Sequence, residues 1–332
     1  MTFALADPMT LAAGPMTLAA VEPPLVSAVT GLMGGTVGIY LRPVDDGTVA
    51  ATNARLAAGS TLRRVGAWAD RLTRFTETSD LARLNASADH RVPVRPTLAA
   101  ALDWARQAEG LSGGIVDIAL LDARLAAEDT KGDQAVIAAP RPDRSWSMDR
   151  GSRVTFIRRP VGLRFDLDGV AKGWLADRAL RLLGSFPSAV VDADGDIAIR
   201  LGDGESWRFG IADPRSTEAD LLELDLVGST VDGIDGFGLA TSGTSVHRWV
   251  HGSQMTHHLI DPRTGRPART DIVQATVLAG TAREAEALAK TAVILGSEAA
   301  LAVLAGHDVH GAVLLTDRDE LLMTPATTRW LA

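Results

Sequence analysis

The chain has 332 residues, of which 46% are hydrophobic, so its length suits one large or two ordinary domains with a sizeable core. Acidic residues outnumber basic ones by 41 to 33, giving a net charge of −8, and this balance argues against a nucleic-acid partner. The absence of cysteine excludes disulfides, thiolate metal sites, a cysteine nucleophile and a lipid anchor attached through cysteine.

Residues 1–30 are apolar and alanine-rich but lack the features of a targeting segment. They contain Asp7, Glu22 and four prolines, with no basic segment, so neither a signal peptide nor a membrane helix is expected. We therefore expect a loose tail over residues 1–30, no stable membrane insertion and a cytoplasmic location. Composition alone leaves an extracytoplasmic location open.

The first third of the chain alternates between strand and helix signals. A strand is predicted at Val37–Leu41, and apolar residues at helical spacing predict a helix over Leu56–Thr73. Ser79 is expected to cap a short helix that ends at Asn85, and a further helix is predicted over Thr97–Glu109, directly after a proline.

The middle of the chain contains a connection, a strand-to-helix unit and a hairpin. Residues 131–153 are polar and proline-bearing, with little periodicity. Leu163–Leu167 is predicted to be a strand that runs into a helix over Val170–Leu183, and Ala189–Leu201 alternates around the turn sequence D-A-D-G-D.

The last third adds strands and two helices. The helices are predicted over Ala282–Leu295 and Glu298–Leu304. The strands are predicted at Trp207–Ile211, Leu221–Val227, Gly238–Thr241, Ile272–Leu278, His310–Leu315 and Glu320–Met323. This order favours an α+β fold with mostly antiparallel sheets and flanking helices over regular βαβ repetition.

The segment R-F-D-L-D-G-V-A-K-G, starting at Arg164, places two acids and a glycine before a helix. Free amides at that helix start, with Lys172 in the first turn, are suited to a phosphate group, whereas a plain strand-to-helix junction with a surface lysine is the alternative. If the segment is extended, Asp166 and Asp168 point to opposite faces, and at most one of them faces a ligand.

Two further segments are rich in oxygen ligands. In Asp192–Asp196 the glycine is expected to make the turn and the acids to stay in water, with a hard cation shared with a diphosphate ligand as the alternative. Leu239–Ser245, L-A-T-S-G-T-S, is suited either to hydrogen bonding a ligand edge or to an ordinary serine-threonine turn.

The stretch Thr256–Pro267, T-H-H-L-I-D-P-R-T-G-R-P, delivers His258 and Asp261 to a tight turn. Histidine changes charge near neutral pH, and an aspartate beside it can fix its tautomer or hold a cation. A hairpin turn with incidental histidines is the alternative interpretation.

Seven motifs, taken in order, resemble the ApbE family of flavin transferases, which move FMN from FAD onto a protein hydroxyl. They are M-G-G-T-V at Met33, T-R-F with S-D-L-A-R-L-N from Thr73 to Asn85, G-I-V-D at Gly114, D-L-D-G-V-A-K-G, D-A-D-G-D-I, A-T-S-G and H-H-L-I-D-P-R-T-G-R-P. The resemblance covers most of the chain from Met33. It implies one T-fold-related α+β domain over residues 31–332, built of two intertwined lobes with FAD in the cleft between them and magnesium on its pyrophosphate.

The resemblance also assigns roles by matching position. Residues expected to contact FAD are Met33, Phe75, Ile115, Val116, Asp117, Asp166, Lys172 and Ile260. Gly169, through its carbonyl, and Glu286 are expected at the metal, and His258, Asp261 and Lys290 near the reacting phosphate. His257 is expected to be an unneeded neighbour.

The chain departs from the family pattern where a metal motif commonly reads A-D-A-L-A-T, because it has A-E-A-L-A-K, Ala285 to Lys290. An ammonium group has no lone pair for a cation. Either Glu286, the Gly169 carbonyl and the FAD phosphates hold the metal while Lys290 contacts phosphate, or the Lys290 ammonium partly replaces the ion. Asp168 also replaces a glycine of the family pattern.

The implied activity is FAD:protein FMN transfer, in which a threonine or serine hydroxyl of an acceptor flavoprotein attacks the diphosphate and AMP leaves. His258 or an acid could accept the hydroxyl proton. The alternatives are a magnesium-dependent FAD pyrophosphatase, which forms FMN and AMP, and a non-catalytic FAD-binding protein.

Overall fold

The computed structural model describes residues 16–17, 26–43, 47–128, 143–216, 219–229, 236–245, 248–251 and 254–332. Most of the tail expected over residues 1–30 lies outside these ranges, although residues 16–17 and 26–30 are strand. Part of the connection expected over residues 131–153 also lies outside them. In the described part of the chain, no helix has the length and apolar character needed to cross a membrane.

The helices begin at recognisable local signals. Ser79 accepts a hydrogen bond from the Ala82 N–H, Pro96 occupies the first turn of its helix, and Thr281 accepts from the Glu284 N–H. The described α-helices are α1 (Thr48–Leu72), α2 (Asp80–Ala86), α3 (Pro96–Leu111), α4 (Leu121–Glu128), α5 (Ala171–Leu182), α6 (Ala282–Leu295) and α7 (Ser297–Ala305). Short 3-10 turns cover Ile118–Leu120 and Pro325–Trp330.

The described strands are β1 (Met16–Thr17), β2 (Val26–Leu32), β3 (Gly35–Arg42), β4 (Arg91–Val94), β5 (Ser147–Arg150), β6 (Thr155–Arg158), β7 (Ser188–Ala193), β8 (Asp196–Arg200), β9 (Ser206–Ala212), β10 (Asp220–Val227), β11 (Gly236–Gly243), β12 (Arg248–His251), β13 (Gln254–His257), β14 (Ile260–Asp261), β15 (Arg266–Pro267), β16 (Ile272–Ala279), β17 (Gly311–Thr316) and β18 (Leu321–Met323).

Eight strands form the central sheet in the order β18-β17-β16-β11-β8-β7-β3-β2. Smaller sheets are formed by β1-β9-β10, β4-β6-β5, β12-β13 and β14-β15. Every pairing between described strands is antiparallel, so the predicted α+β class with mostly antiparallel sheets is confirmed. The division into two intertwined lobes remains a prediction.

The central sheet is covered on both faces, which explains its apolar strands. On one face, α1 and α5 pack near β2, β3, β7 and β8, while α6 packs on β11 and β16. On the other face, Phe209 and Leu226 of the small β9-β10 layer join a core cluster with Ile197 and Phe237. The helix-covered face is the one that carries the candidate site, because the first turn of α5 and the middle of α6 meet there.

The strand predicted at Leu163–Leu167 was wrong. Residues 163–167 belong to no sheet of the described structure, although their chain is irregular and non-helical as expected for a strand-like run. The side chain of Asn85 takes the place of a neighbouring strand, since it donates to the Phe165 carbonyl and accepts from the Phe165 N–H, both at 2.8 Å. The connection predicted over residues 131–153, an inter-lobe or hairpin region, ends in β5, which pairs with β6 in an antiparallel hairpin.

Candidate functional site

The segment from Asp166 to Gly169 is fixed in front of α5 by buried contacts. Phe165 is fully buried in the core, and the Asp166 N–H donates to the Ile118 carbonyl at 2.8 Å. Asp166 in turn accepts from the Asp168 N–H at 3.1 Å. These contacts turn the chain so that both aspartates lie on one side of it.

Arg124 of α4 joins the two aspartates. Its Nη1 lies 3.1 Å from Asp166 and 2.6 Å from Asp168, and its Nε donates to Glu128 at 2.8 Å. Arg74 extends the network, 3.0 Å from Glu128 and 3.6 Å from Asp166. The two aspartates would point to opposite faces only in an extended strand, and this segment belongs to no strand.

The two aspartates differ in their acidity. Burial raises the pKa of Asp166, and Arg124 only partly offsets this effect. Burial also acts on Asp168, but Arg124, Lys172 and Lys290 together outweigh it and hold the pKa of Asp168 well below its usual value. Asp168 is therefore a carboxylate at any pH near neutrality.

The D-A-D-G-D hairpin lies beside this segment, between β7 and β8. Asp194 and Gly195 have φ values of 60° and 90°, and Asp192 accepts from the Gly195 N–H at 2.7 Å, as a tight hairpin turn requires. Asp194 lies 3.4 Å and Asp196 4.0 Å from the Lys172 ammonium. Gly35 is needed next to this turn because a Cβ there would overlap the Asp194 carboxylate. The turn at Met33 is thereby placed beside it.

The acids of this hairpin do not all stay in water, contrary to expectation. Asp196 is buried, and burial raises its pKa to about 7 despite Lys172 and Lys290. Burial likewise raises the pKa of Asp192 to about 6. The hairpin occupies the middle of the covered eight-stranded sheet, which accounts for the loss of solvent.

Helices α5 and α6 meet through glycines. A Cβ at Gly173 would overlap the backbone of α6 at Ala282, and the Gly173 N–H donates to the buried Glu286 carboxylate at 3.0 Å. One turn further along α6, the Lys290 ammonium lies against Gly169, where a Cβ would overlap it. Lys172, Glu286 and Lys290 are thus brought to one place.

Burial and charge act in opposite directions on this group. Burial raises the pKa of Glu286 well above its usual value, and Asp196 adds to this. Burial lowers the pKa of Lys290, while the carboxylates of Glu286, Asp168 and Asp196 oppose that change. For Lys172 the neighbouring carboxylates outweigh burial and raise its pKa. Lys172 is therefore a permanent cation.

A divalent ion does not fit these residues well. Magnesium requires oxygen ligands in a near-octahedral arrangement. The Lys290 ammonium lies against Gly169, near the carboxylates that would supply such ligands, and it has no lone pair to offer an ion. Among the described residues, no cluster of three or more histidine or acidic side chains is arranged to hold a metal ion.

The contacts of His257 and Asp261 in the histidine segment are well defined. The Leu259 N–H donates to His257 Nδ1 at 3.3 Å, so the proton is on Nε2, which donates to the Ala268 carbonyl at 3.0 Å. Asp261 accepts three hydrogen bonds from Arg263, each 2.9 Å long. Burial raises the pKa of Asp261, but Arg263 outweighs it and holds this pKa below its usual value. His258, like His257, is half-buried.

Arg144 fastens the predicted flavin-binding segment to the histidine segment. Its Nε donates to Asp117 at 2.8 Å and its Nη2 to the Pro262 carbonyl at 3.1 Å. Ile260 packs with Leu120 and with Ala123 of α4. Because α4 also carries Arg124, one helix connects the histidine segment with the Asp166–Asp168 pair.

The remaining predicted residues lie around this network. Ile115 and Val116 are buried, and the Val116 N–H donates to Ser112 at 2.9 Å. Phe75 is 75% exposed, and the Arg74 guanidinium lies over one face of its ring, 4.3 Å from the centre, which leaves the opposite face for stacking. In A-T-S-G, Thr241 pairs with Thr276 through a 2.8 Å hydroxyl contact.

Arg124, Arg74 and Arg144 are the site residues to which the motifs gave no role. Arg124 precedes Glu128 by four residues, a spacing that indicates a helical ion pair but not a contact with the distant Asp168. Arg144 bridges to Pro262 across 118 positions, and no local pattern encodes such a contact.

The antiparallel sheet and the packed helices define an α+β protein in which lysines and carboxylates cluster where α5 and α6 meet. The chain belongs to the ApbE family, whose sequence profile matches residues 33–314.

Among curated proteins, the chain is 35% identical over 156 residues to the FAD:protein FMN transferase of Treponema pallidum and 34% identical over 146 residues to that of Escherichia coli K12. These matches cover 43% of this chain and 41% and 40% of those proteins, about two fifths of their length. The enzyme of the same name from Haemophilus influenzae is 24% identical over 296 residues, 83% of each chain.

Solved structures show the same fold. The ApbE protein of Thermotoga maritima matches with a TM-score of 0.74 at 20% identity, covering 92% of this chain and 99% of that one. The flavinyl transferase ApbE of Pseudomonas stutzeri matches with a TM-score of 0.69 at 20% identity, covering 92% and 96%.

Proposed function

We propose that the protein is an FAD:protein FMN transferase. In the proposed reaction, a threonine or serine hydroxyl oxygen of an acceptor protein attacks the phosphorus on the FMN side of the FAD diphosphate. The new oxygen–phosphorus bond forms as the bond to the bridging oxygen breaks, and AMP leaves with that oxygen. The hydroxyl proton passes to a base.

One observation carries this proposal: contacts join the residues that the sequence predicted for the site. Arg124 connects α4 to Asp166 and Asp168, and Ile260 packs against the same helix. Lys172 and Lys290 lie where α5 begins, and both keep part of their surface exposed. Two ammonium groups at the start of this helix are suited to a diphosphate, whose charge they would neutralise in the transition state.

The contacts also favour one base. Asp261 is engaged by Arg263 and its pKa is lowered, so it is a weak proton acceptor. His257 donates from Nε2 to a backbone carbonyl and accepts at Nδ1. We assign proton acceptance to His258, because histidine changes charge near neutral pH, while Asp261 shapes the turn that carries it.

FAD is the proposed substrate, and an acceptor flavoprotein with a modified threonine or serine is the proposed partner. Magnesium, which the resemblance implies, would have to be held by Glu286, the Gly169 carbonyl and the FAD phosphates. Because the Lys290 ammonium stands at that position, we assign no step to the ion. A cytoplasmic location stays a prediction from the sequence.

Three reactions test the proposal: the protein with FAD alone, with FAD and an acceptor flavoprotein that lacks its covalent flavin, and with neither. Each is run in magnesium and in EDTA, with AMP measured by chromatography and the acceptor by intact mass. We expect AMP and labelled acceptor only when all components are present. AMP without acceptor would indicate a pyrophosphatase, and intact bound FAD in both reactions that contain FAD would indicate a binding protein.

A further inference from the structure

Lys290 lies among acidic side chains that favour a cation. Its ammonium lies against Gly169, whose missing side chain makes the space, and one helical turn away Glu286 is held in place by the Gly173 N–H at 3.0 Å. Asp168 and Asp196 are the other carboxylates that act on the same ammonium. The ammonium is thus placed by its contact with Gly169 and by the electrostatic attraction of these acids.

The residues around the Lys290 ammonium differ in their exposure to solvent. Glu286 and Asp196 are buried, whereas Lys290 is only partly buried and the side chains of Lys172 and Asp168 are 25% and 33% exposed. A solvent-borne anion can therefore reach the exposed parts of Lys172 and Lys290, whereas Glu286 and Asp196 are shielded from it.

A metal ion and Lys290 compete for the same space and the same oxygens. A divalent ion on Glu286 and the Gly169 carbonyl would stand next to the ammonium, and the two positive charges would repel each other. Moving Lys290 aside would strip it of Asp168, Asp196 and Glu286, while a buried charge without its partners is strongly disfavoured.

We propose that the Lys290 ammonium is the resident cation of this site, so that the protein binds the diphosphate of a flavin dinucleotide without a divalent ion. The inference uses the proposed function only for the identity of the dinucleotide. It concerns binding and not turnover, and is therefore separable from FMN transfer.

The first test titrates the protein with FAD, followed by flavin fluorescence, in EDTA and in magnesium. We expect the wild-type Kd to agree within about twofold between the two conditions. For Lys290→Thr we expect binding in EDTA to weaken roughly tenfold or more, the effect of losing one charge-assisted contact, and magnesium to restore it. Lys290→Arg should bind in EDTA like the wild type, and Arg64→Thr, at an exposed position of α1, controls for loss of one charge.

The second test measures Mn²⁺ binding to the flavin-free protein by electron paramagnetic resonance. We expect no tight site in the wild type and one in Lys290→Thr, where a hydroxyl oxygen replaces the ammonium. A stoichiometric Mn²⁺ site in the wild type, or FAD binding that EDTA weakens tenfold, would overturn the inference while leaving FMN transfer intact. Metal-independent FAD binding without FMN transfer would support the inference and contradict the proposed function.

Discussion

Arg124 and Asp168 form a 2.6 Å ion pair between α4 and the segment that leads into α5, and the same guanidinium nitrogen lies 3.1 Å from Asp166. One cation thus holds two neighbouring, largely buried carboxylates together. Removing only the cation leaves like charges side by side with little solvent to screen them, whereas an exposed ion pair loses little.

We predict that Arg124→Met lowers the free energy of unfolding by about 3 to 5 kcal/mol, the range for breaking a buried ion pair on one side. Arg124→Lys should recover part of this loss, because a lysine has the charge but not the planar fork. Urea unfolding is the measurement. Arg164→Met, which breaks the more exposed pair with Asp122, is the matched control and should cost less than about 1 kcal/mol. Equal losses in the two methionine variants would contradict the role given to Arg124.

The fit between Gly169 and Lys290 predicts a coupling between the two positions. Gly169→Ala places a Cβ where the ammonium lies, so it should cost about 1 to 3 kcal/mol of stability and weaken FAD binding. In a Lys290→Thr background the same change should cost at least about 1 kcal/mol less. Gly66→Ala in α1, where a Cβ has no neighbour within 4 Å, should stabilise by up to about 1 kcal/mol. Strict additivity of the two changes would rule out the contact.

The two adjacent histidines are predicted to fail in different ways when replaced. His258→Gln should lower the FMN transfer rate about 100-fold or more, as loss of a general base does, with a small change in Tm. His257→Ala should lower Tm, because the Ala268 carbonyl and the Leu259 N–H lose a partner, and should leave most of the transfer rate. Transfer kinetics and thermal unfolding on both variants provide the comparison. A His257 variant with the larger rate loss would exchange the two roles.

Asp177 predicts a pH dependence of stability. Burial raises its pKa from 3.8 to about 6, although the N–H groups of Ala282 and Arg283 oppose this. An acid whose pKa is raised by folding binds its proton more tightly in the folded state. Its contribution is therefore complete below about pH 4 and is lost as pH rises through about 6.

We expect the free energy of unfolding to fall between pH 5 and pH 8, with about 1 kcal/mol of the fall due to Asp177. Asp192 and Asp196, with pKa values raised to about 6 and about 7, act in the same direction. In Asp177→Asn the fall should be smaller by that amount, while Asp70→Asn, at an exposed position of α1, should keep the wild-type fall. Urea unfolding at both pH values measures it, and an unchanged fall in the Asp177 variant would refute the assignment.

The sequence predicted those helices and strands well whose signals, such as a capping residue or a turn sequence, lie within the element or beside it. The helix predicted over Ala282–Leu295 has those bounds in the structure, and Ser79 caps α2 as expected. Strands flanking D-A-D-G-D were also predicted. These features depend on periodicity, capping and turn residues, all of which lie within a few positions of one another.

The errors arose where distant residues override the local pattern. The run at 163–167 lacks a neighbouring strand because Asn85 satisfies the Phe165 backbone instead. The hairpin acids lost their solvent because strands and helices from elsewhere in the chain cover them. Burial of this kind depends on the assembled sheet, which single-sequence patterns do not encode.

The central claim is FMN transfer, and its most direct test is the ratio of two products. Purified protein, FAD and an acceptor flavoprotein lacking its covalent flavin are mixed, and AMP released is compared with acceptor whose mass has increased by FMN less one water. We predict one AMP per labelled acceptor, with the label on a threonine or serine and no AMP before acceptor is added. AMP formed without labelling, or acceptor that stays unmodified while FAD remains whole, would contradict the account.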